Sequence, residues 1–173
     1  AVIGSGPAGL ACAHDLAVKG YKVTVFERHS TLGGMLSLGI PAYRLPRHLF
    51  NEEIEYLEKL GIDFRTNISL GRNITLEQLR RQGYKAFFLA VGTQSGVTLS
   101  IKGEDLPGVY SGVDFLRRVN LGIRTPLGRR VAVIGGGNTA LDAARTALRM
   151  GTERVAILYR RTRAEMPASP HEI

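Results

Sequence analysis

The chain has 173 residues, 44% hydrophobic and 22% charged, with 23 Lys and Arg against 15 Asp and Glu for a formal charge of +8. That balance excludes a disordered or collagen-like chain and suits a globular protein of one ordinary domain or two small ones. Its apolar runs are too short to cross a bilayer, no secretory signal opens it, and the single cysteine, Cys12, rules out an internal disulfide framework or a cysteine-ligated metal site. The expectation is a reducing, cytoplasmic compartment with no membrane partner.

In chain order, Val2 and Ile3 open a short apolar strand that turns through Gly4, Gly6 and Gly9 into an Ala- and Leu-rich helix stopped at Gly20. KVTVFE at 22–27 resumes as a strand. LFNEEIEYLEKLG at 49–61 reads as a helix with Phe50, Ile54 and Leu57 on one face and Gly61 as its stop. Thr75 followed by Gln78 is a capping box opening a short helix to Gln82. The unbroken apolar run AFFLAVG at 86–92 predicts a buried strand. Residues 93–110 are rich in turn formers and lead to the helix SGVDFLRRVN, so a domain boundary is expected near Tyr110, giving domains 1–110 and 111–173.

The first segment recurs at an offset of 131: VIGSGPAGLACAHDLAVKG at 2–20 aligns with VIGGGNTALDAARTALRMG at 133–151. The strands KVTVFE and RVAILYR follow the two copies. Two βαβ units are therefore expected, and the fold class is α/β with two Rossmann-like units. In the first, Gly4 permits the tight turn, Gly6 lets backbone approach a pyrophosphate, and Gly9 lets helix and strand pack closely. The helix N-terminus then faces the phosphates, and Glu27 ends the second strand where a carboxylate can accept from an adenosine ribose.

The second unit carries Gly135, Gly137 and Ala140, a variant whose small third residue still permits close packing. Here Tyr159 stands opposite Glu27, and Arg160 opposite Arg28. The carboxylate that would repel a ribose 2′-phosphate is gone, and Arg160, Arg161 and Arg163 stand where that phosphate would lie. The charge agrees with this: residues 1–110 hold 12 basic and 10 acidic side chains, whereas 111–173 hold 11 and 5. The arginines come in separated pairs and not as a basic helix interleaved with aromatics, which disfavours nucleic acid. Two such units, one ending in an acid and one in arginines, point to FAD followed by NADPH.

The strings GIPAYRLP at 39–46 and YRRTRAEMP at 159–167, with the two glycine fingerprints, FLAVGT at 88–93 and GEDLPGV at 103–109, carry a resemblance. The chain resembles the small (beta) subunit of NADPH-dependent glutamate synthase and the flavoproteins around it. These include the matching part of dihydropyrimidine dehydrogenase and the subunit that exchanges electrons between NADPH and ferredoxin. The resemblance implies that Gly4, Gly6, Pro7, Ala8 and Gly9 line the FAD pyrophosphate and that Glu27 holds its ribose, with Arg28 beside it in the cofactor-binding set. It implies that Gly34, Met35 and Leu36 run along the FAD with Arg44 near it, and that Val91, Gly92 and Thr93 form a strand end touching the cofactor. Simple core packing is an equal reading for Met35 and Leu36. Gly136, Gly137, Asn138 and Thr139 would meet the NADPH pyrophosphate, and Arg160 and Arg161 its 2′-phosphate.

The implied chemistry is hydride transfer from NADPH to flavin, which needs orientation more than a side-chain acid or base, so no catalytic residue is assigned. His14, His29, His48 and His171 show no ligand spacing, and no metal site is expected. Electrons would pass to iron–sulfur clusters in a segment or partner outside these residues and, in glutamate synthase, on to glutamate formation. Ferredoxin, a hydrogenase, a formate dehydrogenase or a pyrimidine reductase are alternative acceptors. A non-catalytic nucleotide-binding module is the alternative of another class. The family pattern also implies that the chain is a fragment: the first portion of an FAD domain, as in glutathione reductase-like flavoproteins, plus an incomplete NADPH domain.

Overall fold

Short β-branched and aromatic runs make the strands, and Ala- and Leu-rich runs bounded by glycines make the helices between them. The computed structural model describes residues 1–173. Its contacts divide the chain into one unit of Ala1–Ser37 with Ala42–Thr93 and another of Leu38–Pro41 with Gln94–Ile173. The break thus falls after Thr93, and the turn-rich 94–110 segment, placed by sequence before a boundary near Tyr110, groups with the second unit.

Along the chain up to Thr93, β1 (Val2–Ile3), α1 (Pro7–Val18), β2 (Thr24–Phe26), α2 (Met35–Leu38, whose last residue groups with the second unit), α3 (Arg47–Lys59), β3 (Asp63–Arg65), α4 (Leu76–Arg81) and β4 (Phe88–Leu89) follow in order. The strands form one parallel sheet, β3-β2-β1-β4. Successive side chains leave opposite faces of a strand. Val2 and Val25 accordingly pack with Ala13 of α1 and Leu57 of α3, while Ile3 and Phe26 pack with Leu79 of α4. Helix α3 begins at Arg47, two residues before the apolar pattern, because Pro46 supplies its N-cap, and Gly61 follows its end as expected. The capping box at Thr75 forms: Gln78 N–H donates to Thr75 Oγ1 at 3.2 Å and Thr75 N–H to Gln78 Oε1 at 2.8 Å.

The AFFLAVG expectation is corrected. Only Phe88 and Leu89 form the strand, and they are 41% and 57% exposed. Burial of an apolar run needs cover on both faces, and β4 is an edge strand that hydrogen-bonds only β1. Phe87, one residue earlier, does pack against the Phe26 and Leu79 cluster.

In the second unit, α5 (Gly112–Asn120), β5 (Arg130–Ile134), α6 (Asn138–Arg149) and β6 (Arg154–Leu158) make a two-stranded parallel βαβ. Ser111 caps α5 by accepting from Asp114 N–H at 3.2 Å. Phe115, Leu116, Ala143 and Ala147 pack over Val131, Val133 and Val155. The opposite face is open, with the paired Ile134 and Leu158 at 57% and 52% exposure. Leu38–Pro41 group with this unit, and Asn120 Nδ2 donates to the carbonyls of Leu38 and Ile40 at 2.9 and 3.2 Å.

Two outcomes follow for folding. A Cβ at Gly9 would sit 1.9 Å from the Gly4 carbonyl oxygen, backbone that cannot swing aside. Gly9→Ala should lower stability by at least about 1–3 kcal/mol in thermal or denaturant unfolding of the full protein, and an unchanged melt would refute that close packing. Residues 1–173 expressed alone should bind a hydrophobic dye through the faces at Phe88, Leu89, Ile134 and Leu158. Cooperative melting without dye binding would contradict it.

Candidate dinucleotide-binding sites

The first sheet reverses direction at β1. From β1 the chain moves outward through β2 to β3, then returns to place β4 on the other side of β1. Such a reversal opens a crevice at the carboxyl ends of the two strands, where α/β sheets bind ligands. Gly4 turns the chain there at φ +106°, a backbone shape L side chains rarely adopt, and a Cβ on it would lie 2.3 Å from the Ala90 carbonyl oxygen. Gly6 N-caps α1 with no side-chain cap, Pro7 occupies the first helical position, and a Cβ on Gly6 would meet no atom within 4 Å. The open space is therefore above Gly6, facing the Ala8 and Gly9 N–H groups, which have no intrahelical acceptor. That cradle fits a pyrophosphate.

Glu27 is 2% exposed, and its carboxylate is held by the glycine turn. Ser5 N–H donates to Oε2 at 3.0 Å and Ser5 Oγ donates to the same oxygen at 2.6 Å, while His29 N–H donates to Oε1 at 2.9 Å. Three of the roughly four acceptor positions of a carboxylate are occupied. The remaining one, on Oε1, suffices for one ribose hydroxyl. Gly33 N–H in turn donates to Ser5 Oγ at 3.0 Å, so the fully buried Ser5 joins three segments. The sequence reading missed Ser5, because a serine between two fingerprint glycines carries no signal until the strand ends meet.

The remaining first-unit residues fall around this cradle unevenly. Gly34 lies on it, since a Cβ there would be 2.9 Å from the Gly6 Cα. Met35 and Leu36 follow in the first turn of α2, half-buried. Arg47 Nη1 donates to the Leu36 carbonyl at 2.8 Å, and burial pulls its guanidinium below the ordinary arginine value. Val91, Gly92 and Thr93 are exposed directly after Ala90, the residue against Gly4. Arg28 and Arg44 are exposed, and Arg28 Nε donates to His29 Nε2 at 3.0 Å.

The second unit repeats the turn. Gly135 adopts φ +138°, Ala140 Cβ lies 3.3 Å from where its Cβ would be, and Gly137 N-caps α6 with no side-chain cap and open space around it. Here the cradle is bordered differently. A Cβ on Gly136 would strike the Tyr159 ring at 2.8 Å, so the aromatic ring occupies the side where the first unit has its acid. Asn138 Oδ1 accepts from Ser169 N–H at 2.9 Å and the Gly136 carbonyl accepts from Ala168 N–H at 3.1 Å, which brings the chain beyond the arginines back onto the glycine turn. The Thr139 methyl would lie 3.2 Å from a Cβ on Gly112, so Thr139 also serves packing against the start of α5.

Arg160 and Arg161 are exposed just past β6, and Arg163, in a 3₁₀ turn at Arg163–Glu165, is held through Nη2 to the Ile173 carbonyl at 2.6 Å. The pattern Thr162-Arg-Ala-Glu165 carries a capping-box signature that the sequence reading did not use.

A model of the pyridine nucleotide-disulphide oxidoreductase family matches residues 1–173. Among curated relatives, NADP(+)-dependent formate dehydrogenase subunit beta of Moorella thermoacetica is 48% identical over all of this chain, which spans 25% of that protein. NADPH-Fe(3+) oxidoreductase subunit beta of Geobacter sulfurreducens is 44% identical, with 26% of it covered, and the small chain of NADPH glutamate synthase from Escherichia coli is 39% identical, with 39% covered. The chain therefore spans well under half the length of these relatives. Among solved structures, FprA of Mycobacterium tuberculosis in complex with NADPH superposes with a TM-score of 0.82 at 26% identity, over 99% of this chain and 45% of FprA. Two glycine cradles at the ends of parallel strands and a family match along the whole length agree: the chain belongs to the pyridine nucleotide-disulphide oxidoreductase family, whose cofactors are FAD and NADPH.

Proposed function

We propose that the protein carrying this chain takes hydride from NADPH onto FAD and passes the electrons to iron–sulfur clusters held by another segment or subunit. The observation that supports this most is the contrast between two like cradles. The first ends beside a buried acid, Glu27, suited to a ribose hydroxyl, and the second beside Tyr159 and the exposed Arg160 and Arg161, suited to a 2′-phosphate. FAD would therefore belong to the unit containing Ala1–Ser37 and NADPH to the unit containing Gln94–Ile173.

The cofactors bring the hydride donor and acceptor. The chain contributes binding and orientation: N–H groups at the starts of α1 and α6 for the pyrophosphates, Glu27 for a ribose hydroxyl, and guanidinium groups for the 2′-phosphate. No side-chain acid or base is required, so none is assigned. In this reading the iron–sulfur relay belongs to residues elsewhere in the protein or its partner, since such clusters take several cysteine ligands and this chain carries one cysteine, Cys12.

The relatives' names support an electron-input subunit whose terminal acceptor is set by its partner. A formate dehydrogenase subunit and an iron(III) reductase subunit stand at 48% and 44% identity, and a glutamate synthase small chain at 39%. Glutamate synthase is thus one destination among several. No helix is long and apolar enough to cross a membrane; a cytoplasmic site of action is part of the proposal.

In the full protein, Gly6→Ala should strip FAD without disturbing the fold, because its Cβ meets nothing in the chain and its φ of −68° suits alanine. Gly137→Ala should do the same for NADPH. Retained cofactor binding in both variants would refute the cradles. Replacing Arg160 and Arg161 by alanine should weaken NADPH by about tenfold or more and NADH by less than about threefold. Equal losses would contradict the 2′-phosphate assignment.

A further inference from the structure

A carboxylate is an odd neighbour for a phosphate site, yet Glu165 lies within a few residues of Arg160, Arg161 and Arg163. Two like charges near one another repel, and a bound 2′-phosphate would feel that repulsion. The hydrogen bonds explain its presence. Glu165 Oε2 accepts from Thr162 N–H at 3.1 Å and from Thr162 Oγ1 at 3.2 Å, and Glu165 N–H donates to the Thr162 carbonyl at 3.1 Å. The Glu165 carbonyl accepts from Tyr159 Oη at 3.1 Å, and the Tyr159 ring lies against Gly136 of the glycine turn. Three residues later, Ala168 N–H bonds the Gly136 carbonyl. The segment carrying the arginines is thus closed on itself and tied at both ends to the turn that starts α6.

We infer that Glu165 and Thr162 are positioning residues, which preorganise Arg160 and Arg161 to recognise a ribose 2′-phosphate; this rests on the NADPH reading of those arginines. Arginine side chains have many rotamers, and a loop free to wander would have to be ordered at each binding event. The Thr162–Glu165 closure removes that cost from the backbone. Glu165 acts as a hydrogen-bond acceptor here, and its charge is incidental.

The test uses the full protein and two flavin-independent probes, adenosine 2′,5′-bisphosphate and adenosine 5′-monophosphate, titrated by calorimetry. Glu165→Ala and Thr162→Ala should each weaken the bisphosphate by about fivefold, the usual effect of losing a cap, and leave the monophosphate unchanged. Glu165→Gln and Thr162→Ser, which keep the acceptor and the hydroxyl, should restore bisphosphate binding. Unchanged bisphosphate binding in Glu165→Ala would overturn the inference. So would tighter binding in both Glu165→Ala and Glu165→Gln, which would make Glu165 a repelling charge only. Equal weakening of both probes would also overturn it, as general damage. The double change Arg160→Ala, Arg161→Ala separates the two levels. If it leaves bisphosphate binding intact, the arginine assignment itself falls; if it abolishes the preference while Glu165→Ala does not, only the positioning role falls.

Discussion

The first unit depends on backbone meeting backbone without side chains between. Gly9 of α1 sits against the Gly4 carbonyl, and Gly4 sits against Ala90 at the end of β4. Any Cβ at these points would force helix and strands apart, and the N-terminus of α1 would no longer lie at the reversal in the sheet. Because the approach is that close, Gly6 is left facing open space with uncapped N–H groups beyond it. In the proposed reading, phosphate recognition would follow from packing, with backbone N–H groups and no side chain aimed at the ligand.

Around this shared device the two units diverge where β2 and β6 end. In the first, Glu27 is clamped by Ser5 and the His29 N–H, so a buried charge is satisfied by three donors and kept oriented. In the second, Tyr159 fills the equivalent side of the turn with a ring, and the exposed arginines beyond it are followed by the Thr162–Glu165 hydrogen bonds. One duplicated βαβ thereby ends at a clamped carboxyl group in one copy and at exposed arginines in the other, the contrast on which the proposed FAD and NADPH assignments rest.

Much of this was legible in the sequence, for definable reasons. The repeat, both glycine turns, helix α3 and the capping box at Thr75 are local patterns whose residues dictate their own backbone. The exposure of Phe88 and Leu89 was not legible, because an apolar run reports what it can bury against and says nothing of whether that cover is present. Ser5 escaped notice for a similar reason: its two partners lie 22 and 28 residues away. The turn-rich 94–110 segment reads by composition as the stretch that holds a domain junction, and its contacts group it with the second unit. The Thr162–Glu165 box was present as a pattern, and only its position beside the arginines gives it meaning.

The central claim is that the two cradles hold different nucleotides that react with each other. Anaerobic titration of the full protein with NADPH, followed by flavin absorbance, tests it most directly. A yellow protein that bleaches with NADPH, and does so at far lower concentration than with NADH, is the predicted result. A colourless protein, or a yellow one whose absorbance NADPH leaves unchanged, would contradict it.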